Sequence, residues 1–391
     1  MIYPRKLTKN LIEEISSRRI TILTGMRQTG KTTLLRYIFD QVNSENKIFL
    51  DLENPLNQKI FEEKNYDNIL LNLKDFGIDP DERSYIFLDE IQLMPDISRA
   101  IKYLHDHYQI KFFLTGSCSF YFKNLFPESL AGRKIIYELF PLDFEEFLIF
   151  KGKERKIGSR FNQKAKNKNI ISFDTYKNLY EEFLKYGGFP GVVIEKKKKE
   201  KIIEDIFTSY FEKDVKTLGD FREIKQLRDV IILLANRVSS KIDISKISRE
   251  MGVSRETIYS YLSFLEKTYF LFLISPFSRS LNGEVRGAKK IYFCDTGILN
   301  YIGKNTPGVI FENAVFLSLK NYGTVNYFQK YKGPEIDFIL NQSIAFEVRI
   351  FGELGDIQRL SKISRSIGIK KYFLITKNYL NHKNAIPGLN L

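Results

Sequence analysis

Gly25-Met26-Arg27-Gln28-Thr29-Gly30-Lys31-Thr32 is a glycine-rich segment whose position in the chain predicts how the first 150 residues fold. The apolar run Ile20–Thr24 precedes it, and the helix-favouring segment Thr32–Phe39 follows it. This order of strand, glycine-rich turn and helix is that of a P-loop, in which backbone N–H groups and the helix amino end bind phosphates. We expect Lys31 to contact the β- and γ-phosphates and the Thr32 hydroxyl to bind Mg²⁺. The predicted ATP-binding residues are Gly25, Met26, Arg27, Gln28, Thr29, Gly30, Lys31, Thr32 and Thr33.

A second motif, Tyr85-Ile86-Phe87-Leu88-Asp89-Glu90, places two carboxylates at the end of an apolar strand. Ligands of open α/β sheets lie at the carboxyl ends of strands, so this motif is expected beside the P-loop. Asp89 is predicted to bind Mg²⁺, and Glu90 to accept the proton of the attacking water as general base. A P-loop alone predicts nucleotide binding, whereas the two motifs together predict hydrolysis of ATP.

Polar residues after the next predicted strand offer further contacts to the γ-phosphate. Thr115 is the preferred candidate and Ser117 the alternative, although Ser117 and Ser119 also suit the cap of a following helix. Arg133 could meet the charge of the γ-phosphate, including that of a neighbouring subunit. A surface ion pair explains Arg133 nearly as well. The predicted catalytic residues are Glu90, Lys31, Thr115 and Arg133.

The first 150 residues alternate short β-type runs with helical segments, which predicts a mostly parallel sheet covered by helices. The expected strands are Ile20–Thr24, Lys47–Asp51, Tyr85–Asp89, Lys111–Thr115 and Lys134–Phe140. We therefore predict an α/β fold, with a P-loop NTPase sheet followed by a helical and winged-helix region and an α/β nuclease-like domain. The predicted domains are residues 1–150 (ATPase), 151–235 (basic loop and helices), 236–285 (winged helix) and 286–391 (nuclease-like).

The 391-residue chain is basic, with 61 Lys and Arg against 47 Asp and Glu and a net charge of +14. Residues 151–201 hold fifteen basic and six acidic residues, and residues 151–170 have the composition of an exposed polar loop. Basic surfaces attract polyanions because each neutralised phosphate releases counterions, so DNA is a predicted partner. A solvated loop in a lysine-rich protein is the alternative.

The composition also excludes several classes of site. Two cysteines, Cys118 and Cys294, and three histidines form neither a disulfide framework nor a recognisable zinc spacing. No apolar run approaches the roughly 20 residues of a membrane-spanning helix. Residues 1–9 lack the apolar core of a signal peptide. We therefore expect a cytoplasmic protein with no membrane partner.

The segment Ile242–Ser263 has the pattern of a helix-turn-helix, and the apolar residues 269–275 after it could begin a wing. Gly252 is expected to supply the turn and Ser254 to cap the second helix. Residues 241–279 contain six basic and four acidic residues, so a protein is almost as well supported as DNA as the partner of this region. The residues expected to face inward are Ile258, Leu262 and Leu265, and those left for a groove are Arg255, Glu256, Thr257, Tyr259 and Ser260.

From about residue 310 the pattern predicts a helix, three strands, a helix and a last strand, Lys371–Thr376. Glu312, Asp337, Glu347 and Arg349 on these elements suggest the core of a PD-(D/E)xK nuclease. Residues 347 and 349 share one strand face, as a metal-binding carboxylate and its cation do in that core. Arginine replaces the usual lysine and cannot give up its proton to serve as base. A nuclease-like fold kept for binding nucleic acid or a partner is therefore favoured over cleavage.

Taken together, the motifs make the chain resemble the archaeal and bacterial AAA-type P-loop ATPases that carry a C-terminal domain of unknown function. This resemblance extends over nearly the whole chain and implies ATP binding and an ATPase module prone to oligomerise, so a homo-oligomer is a predicted assembly. We expect a switch or motor acting on DNA or on a DNA-bound protein; an ATP-gated metal-dependent nuclease and a non-hydrolysing scaffold are the alternatives. The motifs shared with the family, besides the P-loop, are FLDEIQ (87–92), LTGSCS (114–119), LAGRKIIYELFPLDFEEFL (130–148), KYGGFPGVV (185–193) and IYFCDTGIL (291–299).

Overall fold

A computed structural model of the chain describes residues 3–117, 132–155, 158–166, 168–216, 224–278, 287–330 and 333–391. Cys118 and Ser119 lie outside these ranges. The chain divides into two compact units, one of Met1–Phe140 with Lys267–Tyr269 and one of Pro141–Glu266 with Phe270–Leu391. Within the described ranges, no helix has both the length and the apolar character required to cross a membrane.

The first unit is built on five strands, β1 (Ile20–Thr24), β2 (Lys47–Asp51), β3 (Ser84–Asp89), β4 (Ile110–Gly116) and β5 (Lys134–Glu138). All of them are parallel, and their order in the sheet is β2-β3-β4-β1-β5. Every strand predicted for this region is present, with its ends shifted by no more than two residues. This sheet, covered by helices, confirms the predicted α/β fold of P-loop NTPase type.

Helices pack against both faces of this sheet. Leu88 and Leu114 belong to a core on one face, and Phe87 and Phe113 belong to a core on the other face, where their rings stack with centroids 4.7 Å apart. Successive strand residues point to opposite faces, so strands covered on both sides become unbroken apolar runs. Among the described residues, the helices of this unit are α1 (Thr8–Glu13), α2 (Lys31–Gln41), α3 (Pro55–Lys59), α4 (Tyr66–Asp75) and α5 (Ile97–His107).

The second unit combines helices with two sheets. Its antiparallel pair is β6 (Leu271–Ile274) and β7 (Lys290–Phe293). Its larger sheet, in the order β12-β11-β10-β9-β8, consists of β8 (Val325–Gln329), β9 (Glu335–Leu340), β10 (Ile344–Arg349), β11 (Lys371–Thr376) and β12 (Ala385–Pro387). Of the α-helices that follow α5, those in the described part of the chain are α6 (Phe144–Phe150), α7 (Phe161–Lys166), α8 (Ile170–Tyr186), α9 (Pro190–Ile194), α10 (Lys199–Ser209), α11 (Ile224–Ala235), α12 (Ile244–Met251), α13 (Arg255–Lys267), α14 (Thr296–Ile302), α15 (Pro307–Leu319) and α16 (Leu354–Ser366).

The predicted order of a helix, three strands, a helix and a strand matches α15, β8, β9, β10, α16 and β11. The prediction that Lys371–Thr376 is the last strand is wrong, because β12 follows it and pairs with it in parallel. Three residues, Ala385–Pro387, are too few to produce the alternating pattern by which a strand is recognised in a sequence. The domain boundaries expected from the sequence stay a prediction.

Candidate nucleotide-binding site

The predicted P-loop connects the carboxyl end of β1 with the amino end of α2. Gly30 is the residue before α2 and has φ 94°, in the left-handed region that glycine adopts without strain. Gly25 has φ 149°, and a Cβ atom there would lie closer than 3.0 Å to the backbone oxygen of Leu139. A side chain at position 25 would therefore displace the loop from the neighbouring chain segment.

Two side chains fold back into this loop. The Lys31 ammonium is buried and donates hydrogen bonds to the carbonyl oxygens of Gly25 (2.9 Å) and Met26 (3.0 Å). The Thr29 hydroxyl donates to the same Met26 oxygen at 2.8 Å. Lys31 is thus held at the inner side of the turn. Of the other predicted ATP-binding residues, Gln28 and Thr33 are exposed, and Arg27 and Thr32 are partly buried.

Arg5 is a residue of this site that the sequence interpretation missed. Its guanidinium donates to the Thr29 carbonyl at 2.9 Å and to the Phe140 carbonyl at 2.8 Å, and the residue is only 8% exposed. Arg5 therefore ties the P-loop to the chain segment that follows β5. No sequence pattern marks it, because one arginine near the start of a chain has no spacing relation to a motif.

The register of the sheet brings the second motif to the same edge as the P-loop. Asp51 pairs with Asp89 at the ends of β2 and β3, and Leu23 pairs with Thr115 near the ends of β1 and β4. Parallel strands end at one edge, so the residue after β1 and the carboxylate of Asp89 meet there. The Thr32 side chain lies near enough to the Asp89 carboxylate to lower its pKa, so the two motifs are neighbours at this edge.

Asp89 is a buried carboxylate whose pKa is raised by burial and, to a smaller extent, by the charges of Glu90 and Asp51, against hydrogen bonds that lower it. A nearby divalent cation would favour the ionised form. Mg²⁺ prefers oxygen ligands and often takes only one or two carboxylates together with phosphate oxygens and water. The carboxylate of Asp89 and the hydroxyl of Thr32 therefore fit the predicted pair of Mg²⁺ ligands.

Thr115 links the two acidic residues. Its hydroxyl donates to Asp89 Oδ1 and accepts from the backbone N–H of Glu90 at 3.2 Å. Glu90 has φ 57° and ψ 45°, a left-handed conformation that is uncommon for a residue with a side chain. Such strain is kept where neighbouring structure fixes it, often at functional sites. The Glu90 carboxylate lies 3.9 Å from the Arg27 guanidinium of the P-loop.

Arg133 is the one predicted catalytic residue that the structure does not bring to this site. Lys134 pairs with Ile20, the first residue of β1, so Arg133 lies at the amino ends of the strands and the P-loop at their carboxyl ends. Its side chain forms an ion pair with Asp106 at 2.8 Å and is 42% exposed. This matches the alternative of a surface ion pair. A contact with nucleotide in a neighbouring subunit stays a prediction.

In the second unit, the residues of the predicted nuclease-like site do gather. Burial first, and then the charge of Asp337, raises the pKa of Glu312 and that of Glu347, and burial raises the pKa of Asp337. Tyr292 donates a hydrogen bond to Glu312 at 2.8 Å. The backbone N–H of Val348 donates to Asp337 at 2.8 Å. The sequence interpretation therefore identified carboxylates that share one electrostatic environment.

Two arginine side chains form ion pairs within this cluster of carboxylates. Arg349 and Arg359 both donate to Glu347 Oε1, and Arg349 also lies 3.8 Å from Asp337. In the part of the chain that the structure describes, no group of three or more His, Cys, Asp or Glu residues has an arrangement that could hold a metal ion. Two guanidinium groups thus contact Glu347, the carboxylate that the nuclease interpretation assigns to a metal ion.

The predicted helix-turn-helix corresponds to α12 and α13. Gly252 has φ 65° at the end of α12, and the Ser254 hydroxyl accepts from the Thr257 N–H at 3.1 Å, both as predicted. The inward residues Ile258, Leu262 and Leu265 are buried. Of the predicted groove residues, Arg255, Glu256, Tyr259 and Ser260 are exposed and Thr257 is partly buried. The antiparallel pair of β6 and β7 follows, and the winged-helix assignment stays an interpretation.

The prediction that residues 151–170 form an exposed loop is wrong at residues 161–166 and at Arg155, whereas most other described residues of the segment are exposed. The segment contains α7, in which Lys164 is buried, with its ammonium donating to the carbonyl oxygens of Asn390 (2.8 Å) and Leu391 (2.9 Å). Arg155 donates to Leu389 at 2.9 Å and to the Asn390 side chain at 2.7 Å. Long basic side chains can bind backbone carbonyls while their stems pack, and composition does not distinguish this use from solvation.

Other basic residues of the segment 151–201 remain available to a polyanion. Lys196, Lys197 and Lys198 are exposed, and they directly follow α9 and Glu195. By contrast, Lys151 and Lys199 both form ion pairs with Glu182. Only a part of the predicted basic surface is therefore free for contact with DNA.

Comparison with known proteins identifies families along the chain. Residues 17–148 match the family described as an AAA domain, and residues 177–308 match the domain of unknown function DUF8612. The uncharacterized protein MJ1544 of Methanocaldococcus jannaschii is 30% identical over 362 residues, which cover 88% of this chain and 77% of that protein. An uncharacterized protein of Haemophilus influenzae is 27% identical over 369 residues, which cover 89% of this chain and 88% of that protein.

Solved structures give more distant similarities. The Aeropyrum pernix ORC1 protein in complex with DNA has a TM-score of 0.31 and 12% identity, covering 77% of this chain and 92% of that one. AMPPCP-bound DnaA from Aquifex aeolicus has a TM-score of 0.26 and 14% identity, covering 67% of this chain and 86% of that one.

The similarity to MJ1544 is over most of both sequences and includes the AAA domain. The chain therefore belongs to the family of AAA-domain proteins that includes this Methanocaldococcus jannaschii relative.

Proposed function

We propose that this protein binds ATP with Mg²⁺ and hydrolyses it. The observation that carries the proposal is the sheet register, which brings the start of α2, after β1, and Asp89, at the end of β3, to one edge of the sheet. It places a hydroxyl and a carboxylate together at the phosphate-binding end of a helix. Membership of a family with an AAA domain supports the same activity.

In this proposal the chain's own residues divide the work. The backbone of Gly25 to Lys31 and the Lys31 ammonium bind the phosphates, and Thr32 and Asp89 would hold Mg²⁺, which neutralises charge on the phosphate oxygens. Glu90 accepts a proton from the water whose oxygen forms a bond to the γ-phosphorus, while the bond from that phosphorus to the β-γ bridging oxygen breaks. The Thr115 hydroxyl donates to the Asp89 carboxylate and accepts from the backbone N–H of Glu90.

Two substitutions test this division. Lys31→Ala should abolish binding of ATP, because it removes the cation at the phosphates. Glu90→Gln should keep binding of ATP and stop its hydrolysis, because an amide cannot accept the proton. Turnover by Glu90→Gln at the wild-type rate would contradict the assignment of the base. Binding without turnover in the wild type would favour the alternative of a non-hydrolysing, nucleotide-dependent scaffold.

We propose further that hydrolysis drives a switch or motor on DNA or on a protein bound to DNA. The net charge of +14 and the exposed Lys196, Lys197 and Lys198 support contact with a polyanion. The exposed side of α13, with Arg255 and Tyr259, supports contact with DNA or with a protein. ATP binding and these surfaces are then parts of one cycle in which nucleotide state sets the affinity for the partner.

An ATP-gated, metal-dependent nuclease is the second candidate function. The gathering of Glu312, Asp337 and Glu347 favours it, whereas the arginines on Glu347 oppose it. The measurement is nicking of supercoiled DNA with Mg²⁺ or Mn²⁺, with and without ATP. Nicking by the wild type that disappears in Asp337→Ala would establish the nuclease in place of a binding role for this domain.

A further inference from the structure

Gln92 connects the proposed general base to the end of the neighbouring strand. It lies in the short 3₁₀ turn Ile91–Leu93 directly after Glu90 and is only 3% exposed. Its amide nitrogen donates to Glu90 Oε2 and, at 3.3 Å, to the hydroxyl of Ser117. Ser117 directly follows β4 and is buried. A buried chain of side chains therefore runs from Glu90 through Gln92 to Ser117.

The two donor contacts also settle the orientation of the amide. If its oxygen and nitrogen were exchanged, the oxygen would face the Glu90 carboxylate, and two acceptors would be in contact. With the nitrogen on Glu90, the amide oxygen is a buried atom without a hydrogen-bond partner among the residues that the structure describes. Leaving a buried acceptor unpaired destabilises the folded state.

The unpaired amide oxygen helps to explain why a glutamine, and not an apolar residue, occupies position 92. An apolar side chain of similar length, such as methionine, would fill the same volume without burying an unpaired acceptor. Packing alone therefore does not account for a glutamine here, whereas the need for an N–H donor to Glu90 does. Unsatisfied buried groups of this kind call for a specific explanation, and a catalytic site is a frequent one.

Residues at the end of β4 are thereby connected by hydrogen bonds to both acidic residues of the proposed site, Asp89 and Glu90. Thr115 binds Asp89 through its side chain and Glu90 through the backbone N–H. Ser117 reaches the Glu90 carboxylate through Gln92. Arg27 of the P-loop lies 3.9 Å from the same Glu90 oxygen, Oε2. With Oε2 held from two sides, Oε1 is the oxygen left to take the proton from water.

We propose that Gln92 is the positioning residue of Glu90, which fixes the carboxylate for proton transfer and makes its position depend on Ser117 at the end of β4. This inference rests on the proposed hydrolysis of ATP. Precise orientation matters because a displacement of about 1 Å at a reacting group can cost on the order of 100-fold in rate. Gln92 acts through Glu90 and contacts neither the phosphates nor the metal in this scheme.

The test separates turnover from binding. In Gln92→Met and in Gln92→Glu the donor is lost at nearly constant volume, and we expect kcat for ATP to fall roughly tenfold to 100-fold. The Kd for ATP, measured on the same preparations, should stay within about twofold of the wild type, because phosphate-binding groups are unchanged. Gln92→Glu adds a second negative charge beside Glu90, so its kcat should be at least as low as that of Gln92→Met.

Ser117→Ala tests the contact between Gln92 and Ser117. It should lower kcat in the same direction but less, and adding it to Gln92→Met should lower kcat no further, because both changes interrupt one connection. A multiplicative effect of the two changes would contradict the connection. So would an equal loss of kcat and of ATP affinity in the Gln92 variants, which is the result expected if Gln92 only supports the fold.

Two outcomes separate the role of Gln92 from the hydrolysis of ATP itself. If the wild type hydrolyses no ATP, the proposed function fails, and the role of Gln92 fails with it. If the wild type hydrolyses ATP and Glu90→Gln does not, but Gln92→Met and Gln92→Glu keep the wild-type kcat, only the role of Gln92 is overturned.

Discussion

The carboxylate of Asp295 accepts a hydrogen bond of 2.6 Å from the backbone N–H of Gly188, 107 residues earlier in the chain. The same side chain caps α14, accepting from the N–H groups of Gly297 (2.8 Å) and Ile298 (3.0 Å). The segments KYGGFPGVV (185–193) and IYFCDTGIL (291–299) are thus in direct contact. Gly188 and Asp295 have a structural use in the second unit, which no spacing rule reveals.

Asp295 should make stability depend on pH. Burial raises its pKa from 3.8 to about 6, although three backbone N–H groups lower it. Between these values the unfolded chain releases the proton and the folded chain keeps it, so the free energy of unfolding falls as the pH rises from about 4 to about 6. Asp295→Asn removes this titration. Urea unfolding at several pH values should show the wild type losing about 3 kcal/mol relative to the variant across this window.

Groups that titrate in both the wild type and Asp295→Asn, such as Glu312 and Glu347, contribute equally to the pH dependence of the two free energies of unfolding, so they cancel in the difference. The variant itself should be less stable than the wild type at pH 4, because an amide nitrogen faces the Gly188 N–H group. A difference in the free energy of unfolding that stays constant from pH 4 to pH 7 would contradict the role given to Asp295.

Gly188 should tolerate no side chain. A Cβ atom there would lie closer than 3.0 Å to the backbone oxygen of Leu142, and the Leu142 N–H donates to the Gly188 carbonyl at 2.7 Å. Gly188→Ala should lower the free energy of unfolding by about 3 kcal/mol or more, because backbone must move to make room. Thermal unfolding followed by circular dichroism measures the loss.

Gly191 provides the matched control for that measurement. It lies in α9, and the nearest atom to a Cβ there would be a methyl of Ile202 at 3.8 Å. Gly191→Ala should be neutral or stabilising by up to about 1 kcal/mol, as alanine in a helix usually is. Equal melting temperatures of the two variants would show that the contact with Leu142 is not what requires glycine at 188.

Arg5 should support nucleotide binding through the P-loop backbone. Arg5→Ala removes two hydrogen bonds from a cation, to Thr29 and Phe140, and should weaken ATP binding by about tenfold or more. Arg99 is an exposed arginine on α5 and serves as control, so Arg99→Ala should bind ATP as the wild type does. Unchanged ATP affinity in Arg5→Ala would limit Arg5 to a role in packing.

The exposed lysines after α9 should contribute to DNA affinity. Replacing Lys196, Lys197 and Lys198 by alanine should reduce the salt dependence of binding to duplex DNA, by up to about 0.9 in the log–log slope for each phosphate that is no longer neutralised. Gel-shift titrations at several salt concentrations measure this slope. Lys370→Ala combined with Lys371→Ala, a change of two exposed lysines elsewhere, is the control. Absence of duplex binding by the wild type even at low salt would remove DNA as a partner of this surface.

Local patterns were sufficient to predict the part of the site that contiguous motifs encode. Strand, turn and helix follow one another around Gly25–Thr32, and Asp89 ends an apolar run, so sheet topology alone brings them to one edge. Gln92 and Arg5 were not predicted as site residues, because their contacts depend on packing between segments distant in sequence. The expected exposure of Arg155 and Lys164 was wrong for a related reason: the carbonyls that they bind belong to residues 389–391.

Calorimetric titration of the protein with ATP in the presence of Mg²⁺ measures directly whether the nucleotide site exists. We predict saturable binding with one nucleotide per chain, which is lost in Lys31→Ala and kept in Glu90→Gln. No measurable affinity of the folded wild-type protein for ATP or ADP under these conditions would contradict the nucleotide site on which the proposed function depends.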